Sequence, residues 1–504
     1  MTWLFALRRG RWGAAGLGFA AFAINLLQVE MYSRVYRHIL ATPQIGADFL
    51  LPPYERLDTV ERYVQWAGFG ALAVLMSAWA VSSATGSVRG DEESGIVTAM
   101  LAAGVGRADL LLWRFVAFVT WAATVSGAAM LGYLAGAALV HAAADIPAAV
   151  GASVALLALG VACYSIAMLV SQMANARSAT FISAAVLLAL LLVERLSPLM
   201  DGLRRLSWLS PFHYFDSAQP LALGGSFNIR AVEVLVGFAI GCVLLAAIAF
   251  VYRDVGEALW QAPFTFNPRT ELVCWTAGMI VVASLLLEAT RRIVGAGLGL
   301  PPVINGVYQF QFHSTVLEDL WLIVGELLVA LFAISQVGRW AEDEAVGRLE
   351  LVLASGASRT RVVLMRAVGL ALSTFAIVAP AGVAIFLEAG ADGVVVSPGA
   401  MLAATLLLLP LATSIGAAGA ILTAWLPRAS VALLAALVVT AYFLIDAIAV
   451  LGWPTWTQDL SPFHLYGQPL TQGVDGTRLA ILLGVSVVGF AASAFLFRRR
   501  DLGR

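Results

Sequence analysis

Lysine is absent from this chain of 504 residues, and its basic side chains other than histidine are 30 arginines. A phosphate-binding P-loop requires a lysine, and a chain without lysine cannot contain one. Charge of either sign is also scarce, because charged residues make up 12% of the chain against about 25% in a typical soluble domain. The formal net charge of -1 offers no basic surface to a nucleic acid. We therefore expect no ATPase site of the P-loop kind in this chain and no nucleic-acid partner.

Cysteine is almost absent as well. The three cysteines, Cys163, Cys242 and Cys274, lie far apart in apolar runs, which gives neither a disulfide framework nor the spacing of metal ligands. We interpret them as small core residues. The sequence shows no cluster of catalytic acids either, so we predict no metal site and no catalytic residue.

Long apolar runs dominate what is present, since 61% of the residues are hydrophobic and the mean hydropathy is +0.88. A membrane-spanning helix requires about 20 mostly apolar residues. We count about twelve such runs, at 13–31, 64–86, 110–140, 148–172, 178–195, 230–252, 270–290, 317–338, 362–388, 400–424, 429–450 and 478–498. The predicted fold class is therefore an all-α polytopic membrane protein.

Arginine placement predicts the orientation of these runs. Arg8, Arg107, Arg359 and Arg498 are among the arginines that flank them, and most of these fall on one side if both termini are cytoplasmic. The lack of lysine beside abundant Ala and Gly is typical of a GC-rich bacterial genome. We predict a multi-pass protein of the bacterial inner membrane.

An internal repeat divides the chain in two. Residues 91–95 and 101–107 recur 252 positions later, at 343–347 and 353–359, and the Ser-Pro-Phe-His sequence at 210–213 recurs at 461–464. The motifs keep their order and each half holds six apolar runs, which favours parallel repeats related by an axis along the membrane normal. We predict one six-helix repeat in residues 1–256 and a second in residues 257–504.

The recurring segments 91–106 and 343–358 have the pattern of short amphipathic helices. In the first, Ile96, Val97, Met100 and Leu101 share one helical face; in the second, Val346, Leu349 and Leu353 do so. Acids cluster at the start of each segment, and a glycine follows the last apolar residue. Such a helix could simply anchor a loop in lipid headgroups. Its recurrence, and its acids at an anionic surface, favour a docking element for a two-fold cytoplasmic partner.

The second segment resembles a known family motif. Permease subunits of type 2 ATP-binding-cassette (ABC) exporters, notably the fused two-repeat permeases of polyketide-antibiotic and multidrug exporters, carry acid-acid-x-x-Gly-x-Leu-Glu-Leu-Leu-x-x-Gly-x-x-Arg between the second and third helices of each repeat. The residues that match are Glu342, Asp343, Glu344, Gly347, Leu349, Glu350, Gly356 and Arg359. In the first segment Val97 and Thr98 stand in place of Leu349 and Glu350, so equal use of the two copies is in question.

The resemblance implies that these segments are coupling helices that dock onto two copies of a separate ABC ATPase, which binds ATP and Mg, while this chain holds no cofactor and is not itself an enzyme. The implied docking residues are Glu92, Glu93, Gly95, Gly104, Arg107, Glu344, Gly347, Leu349, Glu350, Gly356 and Arg359. The implied function is efflux of a hydrophobic or amphipathic, antibiotic-like small molecule through a helix bundle embedded in membrane lipid.

In the same family, the second and fifth helices of each half line the substrate cavity, and the connection after the fifth helix lies near an outer gate. The pathway candidates are Trp66, Phe69, Met76, Glu326, Val329 and Phe332, and the gate candidates are Pro211, Phe212, His213, Pro462, Phe463 and His464. Ordinary helix packing and an interfacial turn explain the same residues equally well.

Two other functions stay open on the sequence alone. An ion-coupled secondary transporter of the twelve-helix class would use a charged residue within the bundle, and Glu326 is a candidate. A membrane-embedded enzyme would require a catalytic cluster. Neither alternative gives a role to the two acid-rich segments.

Overall fold

The computed structural model describes residues 2–36, 59–197, 202–218, 220–221, 227–256, 268–295, 307–345, 347–392, 396–427 and 429–500. Throughout these residues the regular structure is helical, and no strand occurs among them. The chain forms two compact units, Met1–Phe266 and Asn267–Arg504. The predicted boundary between the repeats, at 256 and 257, adjoins residues outside those described.

The first unit contains eight α-helices among the described residues, besides a π-helical turn at Tyr32–Tyr36 and a 3-10 turn at Ser207–Leu209. The α-helices are α1 (Thr2–Met31), α2 (Val60–Glu93), α3 (Ile96–Ala102), α4 (Arg107–Leu139), α5 (Ile146–Met173), α6 (Ala176–Leu196), α7 (Pro211–Ser217) and α8 (Ile229–Tyr252). Within α2, the segments Val64–Phe69 and Gly86–Gly90 adopt π-helical turns.

The second unit repeats the series. Its described helices are α9 (Pro268–Gly295), α10 (Val307–Ala345), α11 (Arg348–Ala354), α12 (Arg359–Asp392), α13 (Pro398–Trp425), α14 (Ser430–Leu451), α15 (Pro462–Tyr466) and α16 (Gly476–Arg499). Short helices therefore stand at the same two places in each series, between the second and third long helices and between the fifth and sixth.

Eleven helical stretches among the described residues are long and apolar enough to cross a membrane, which confirms a multi-pass membrane protein. The remaining long helix, α14, has a shorter apolar stretch at Ser430–Leu444. We expected about twelve membrane spans, and eleven of the twelve long helices among the described residues meet the requirement for a span by length and composition.

Each unit is built around one buried helix. In the first unit α5 packs against α2, α4 and α8, while α1 packs along α4. In the second unit α13 packs in the same way against α10, α12 and α16, while α9 packs along α12. Small residues fill α5 and α13, which lets neighbouring helix backbones approach closely.

The contact between α1 and α4 depends on two glycines of α4, spaced one helical turn apart. A Cβ atom on Gly132 would lie 2.1 Å from the carbonyl oxygen of Phe22, and one on Gly136 would lie 2.8 Å from Cβ of Val29. The Asn25 side chain of α1 also donates a hydrogen bond to the carbonyl of Ala129 at 2.9 Å. The two helices thus meet backbone to backbone, as small-residue motifs allow in membranes.

We expect Gly132→Ala to destabilise the protein, because the added methyl group collides with the Phe22 backbone, which cannot move aside. Overpacking of this kind costs about 1–3 kcal/mol, equivalent to several degrees in the midpoint of thermal unfolding. Gly127→Ala on the same helix is the control, since its Cβ would have no atom within 4 Å. Equal unfolding midpoints for the two variants in detergent would contradict this account of the contact.

Candidate functional site

The short helices α3 and α11 have the same construction. Each spans seven residues and begins after a glycine in the left-handed conformation, Gly95 with φ of +78° and Gly347 with φ of +77°. Each is followed by another such glycine, Gly104 with φ of +85° and Gly356 with φ of +88°. Residues with a side chain rarely adopt these angles. Glycine at these four positions therefore sets where each short helix begins and ends.

The acidic clusters lie elsewhere than the sequence predicts. We expected them in the first turn of each short helix, but Asp91–Glu93 form the end of α2, and Asp343 and Glu344 lie in the last turn of α10. Gly95 and Gly347 break the chain just after the acids, so these carboxylates face the negative end of a helix dipole. That position is unfavourable unless positive charge is close by.

In the first unit, arginines supply that charge to Glu92. The guanidinium of Arg253 forms two hydrogen bonds with the Glu92 carboxylate, at 2.9 and 2.7 Å, and Arg89 adds a third at 2.9 Å. The backbone N–H of Gly256 donates to the same carboxylate at 2.6 Å. All three charged side chains are buried. The end of α2 is thereby fixed to the end of α8 by charge-assisted hydrogen bonds, which are the stronger kind.

The second unit contains the same pair at the equivalent positions. Glu344 lies 252 positions after Glu92, and it forms an ion pair with Arg500, which follows the last residue of α16. Arg500 also donates to the carbonyl of Thr423 at 3.2 Å. This pair is more exposed than the first, with 24% of the Arg500 side chain and 16% of the Glu344 side chain accessible.

A second arginine links each short helix region to the sixth long helix of its unit. Nη1 of Arg107 donates to the carbonyls of Phe250, Val251 and Arg253. In the other unit, Nη1 of Arg359 donates to the carbonyls of Phe497, Arg498 and Arg500. The last carbonyls of a helix lack partners within it, and a cation there also suits the helix dipole. Arg107 and Arg359 therefore cap α8 and α16.

One apolar residue anchors each short helix. Val97 and Leu349 stand at equivalent positions and are buried. Leu349 packs with Val363, Ala424 and Phe497, so α11 rests on the ends of α12, α13 and α16. The amphipathic pattern is confirmed at these anchors, while Val346 lies outside the described residues.

The outward faces of the two short helices differ. On α11, Glu350 is exposed, and the exposed fractions of Leu351 and Val352 are 73% and 47%. On α3, the residues equivalent to Glu350 and Leu351 are Thr98 and Ala99, which are also exposed. Arg348 of α11 is exposed too, so the surface of α11 carries apolar side chains and charges of both signs, whereas that of α3 is small and weakly polar.

Most of the implied docking residues make contacts within their own unit. The ion pairs to arginine are formed by Glu92 and Glu344, and the caps of α8 and α16 by Arg107 and Arg359. Leu349 is the buried anchor of α11. Glu93 is exposed but accepts a hydrogen bond from the backbone N–H of Ala176 at 2.8 Å, at the start of α6. Glu350 is the implied docking acid on the outward face of α11.

The two Ser-Pro-Phe-His sequences form the short helices α7 and α15. Ser210 and Ser461 each cap their helix and donate a hydrogen bond to a carbonyl 20 residues earlier, that of Leu190 at 2.9 Å and that of Ala441 at 2.7 Å. Pro211 and Pro462 occupy the first helical turn, where proline is well tolerated. The motif therefore fixes α7 and α15 to the preceding long helices α6 and α14.

The remaining residues of these motifs pack or form ion pairs. Phe212 and Phe463 are buried, and His213 lies 3.2 Å from the Glu194 carboxylate. Burial lowers the pKa of His464, and the nearby Arg478 lowers it further, against the opposite effect of Asp459.

Most of the predicted pathway residues are buried between packed helices. Phe69 and Met76 are buried, and a Cβ on Gly160 of α5 would lie 2.7 Å from Met76, so these side chains pack within the first unit. Trp66 is half-buried and contacts Tyr63. In the second unit the buried Phe332 contacts the Trp275 ring at 5.5 Å between centroids.

Glu326 of α10, beside the buried Val329, is itself buried, and its Oε1 atom has no hydrogen-bond partner among the described residues. The carboxylate of Glu318, two turns earlier on α10, accepts hydrogen bonds from the backbone N–H of Leu470 and from the Thr471 hydroxyl. One carboxylate oxygen of the buried Glu326 thus has no hydrogen-bond partner among the described residues.

Removing either arginine of the two matched ion pairs leaves a carboxylate at a helix C-terminus. We expect Arg253→Met to cost about 3 kcal/mol, because Glu92 is fully buried. Arg500→Met should cost about 1 kcal/mol, because water reaches its pair. The midpoints of thermal unfolding in detergent measure both costs. A larger effect in the second unit than in the first would contradict the assignment of Glu92 and Arg253 as the more strongly desolvated pair.

Comparison with known proteins identifies the family. The family model described as multidrug efflux system permease Rv1217c, C-terminal domain, matches residues 4–251 and residues 266–498, one range in each half of the chain. No curated protein matches the chain. The match confirms the predicted transmembrane efflux permease. Because the matched residues cover nearly the whole sequence, the chain belongs to this family of multidrug efflux permeases.

Proposed function

We propose that the chain is the permease subunit of a type 2 ABC exporter in its fused two-repeat form. In this proposal it moves a hydrophobic or amphipathic small molecule outward across the bacterial inner membrane. Two copies of a separate ATPase bind ATP and Mg and dock on α3 and α11 at the cytoplasmic face, where both termini also lie. The observation that carries the proposal is the paired construction of α3 and α11, each held between left-handed glycines and tied to the end of a long helix.

The contacts of α3 are suited to transmitting motion. The chain joins α3 directly to α2 and α4, and the Glu92 and Arg107 contacts join the same region to α8. A displacement of α3 by a docked protein would therefore act on the ends of three long helices at once. The same relation holds for α11 with α10, α12 and α16 through Glu344 and Arg359.

The outward faces favour unequal docking. Apolar side chains are enriched in the cores of protein interfaces, and α11 exposes Leu351 and Val352 beside the charged Arg348 and Glu350. The equivalent residues of α3 offer little area. We propose that α11 contributes more of the docking energy than α3.

The absence of lysine supports a separate ATPase, because the P-loop cannot be supplied by this chain. ATP hydrolysis then belongs to the partner, and this chain has no cofactor of its own. The proposed role of Glu350 can be tested apart from ATP hydrolysis, by assembly alone.

We expect Glu350→Arg combined with Leu351→Asp to abolish co-purification with the proposed ATPase partner, because the first change reverses a charge on the proposed interface and the second places a carboxylate among its apolar side chains. Glu233→Arg is the matched control, since Glu233 is exposed near the start of α8, at the other end of that helix from Arg107. Size-exclusion chromatography of the tagged chain with the ATPase measures assembly. Intact assembly of the double variant would show that α11 is not the docking element.

A further inference from the structure

A half-open cavity of about 320 Å³ lies in the first unit, bounded by α1, α2, α4 and α5, with Met100 of α3 in its wall. Five of its sixteen lining residues are aromatic. They are Trp79, Trp113, Phe118, Trp121 and Tyr164. None of the pathway residues predicted from the sequence lines this cavity.

The aromatic walls are held in place by one another and by hydrogen bonds. Phe118 stacks on Tyr164 with 4.1 Å between ring centroids, and Trp79 lies 4.9 Å from Phe118. The indole N–H of Trp121 donates to the carbonyl of Leu7 at 3.1 Å, and the Tyr164 hydroxyl lies 3.2 Å from that of Ser87. The cavity is therefore preformed, which lowers the entropic cost of binding.

Two glycines of α1 keep the cavity open. A Cβ atom on Gly13 would lie 3.1 Å from Nε1 of Trp79, and one on Gly10 would lie 3.0 Å from Cδ1 of Trp121. Any larger residue at these positions would push into the space beside the indoles. The width of the cavity thus depends on Gly10 and Gly13 having no side chain.

The second half of the chain lacks this aromatic set. The residues 252 positions after the five aromatic ones are Leu331, Met365, Leu370, Ser373 and Gly416. Leu370 there lies so close to Gly416 that a Cβ on that glycine would be 2.1 Å from Cδ2 of Leu370. Where the first unit stacks Phe118 on Tyr164, the second unit packs an aliphatic side chain on a glycine. The aromatic cavity is therefore not a general consequence of the repeated fold.

The charge in the wall is balanced. Asp91 and Arg114 both line the cavity, and they form a buried ion pair at 3.0 Å. An ionic ligand would meet an opposite and a like charge side by side, so the wall favours neither sign. The volume lies at the small end of ligand pockets, which hold about 300–1,000 Å³.

We propose that this cavity binds one neutral, planar aromatic molecule, stacked against the indoles of Trp79 and Trp121. Offset stacking and burial of apolar area supply the affinity. The proposal adds a ligand class to the efflux function of the family and holds with or without a docked ATPase. A bound molecule would also contact Met100, and thus α3.

The test uses the purified full-length chain in detergent without any ATPase, and N-phenyl-1-naphthylamine as a neutral aromatic probe. Energy transfer from tryptophan to the probe should show saturable binding. Gly13→Leu should weaken this binding by about tenfold or more, because its side chain fills the space beside Trp79. Trp79→Leu, which copies Leu331 of the second half, should also weaken it.

Gly16→Leu is the matched control, since Gly16 lies one turn further on α1 and is exposed, with no atom within 4 Å of an added Cβ. Thermal unfolding checks that each variant is folded. Wild-type affinity in both Gly13→Leu and Trp79→Leu, or an equal loss in Gly16→Leu, would overturn the proposal. Displacement of the probe by added phosphatidylglycerol would overturn the aromatic ligand class, because the cavity would then be a lipid site.

Discussion

The ion pair between the acid at the end of the second long helix and the arginine at the end of the sixth is the interaction on which the rest depends. Glycines in the left-handed conformation delimit α3 and α11, and glycine adds flexibility at both ends of each short helix. If these glycines were its only connection to the long helices, a short helix could move while the long helices stayed in place. Glu92 with Arg253, and Glu344 with Arg500, bind the neighbouring helix ends together. Arg107 and Arg359 complete the connection by capping the sixth helix.

The two units share this framework and differ in what surrounds it. In the first unit the ion pair is fully buried, the short helix presents small residues, and an aromatic cavity lies behind it. In the second unit the pair is partly exposed, and the short helix presents Leu351 and Val352 outward. The proposed ligand cavity thus lies in the first half of the chain, and the short helix proposed to contribute more of the docking energy lies in the second half. A buried acid such as Glu326, which has Val74 at the equivalent position of the first half, fits the same divergence.

Much of this architecture follows from the sequence. Apolar runs predict the long helices because a membrane span requires about 20 apolar residues, and Gly104 and Gly356 predict where α3 and α11 end. The exact ends differ where helices continue past the apolar run, as α2 does to Glu93. The assignment of the acids to the short helices was wrong, since periodicity does not show on which side of Gly95 a helix ends.

Tertiary partners were less predictable. Glu92 and Arg253 lie 161 residues apart, and no local pattern connects them. The second half has an acid and an arginine at the corresponding positions, Glu344 and Arg500, and this recurrence could have predicted that the two residues form a pair. The close contact at Gly132 and the aromatic cavity depend on how helices face one another, which helical periodicity alone leaves open.

Charge exchange in the second unit tests the central claim most directly, because Glu344 and Arg500 are accessible enough to tolerate it. The measurement is the stimulation of ATP hydrolysis when the chain assembles with the proposed ATPase partner. Glu344→Arg and Arg500→Glu should each assemble normally but lose the stimulation, and the double exchange should restore it. Full stimulation in both single variants would contradict a mechanical role for the pair.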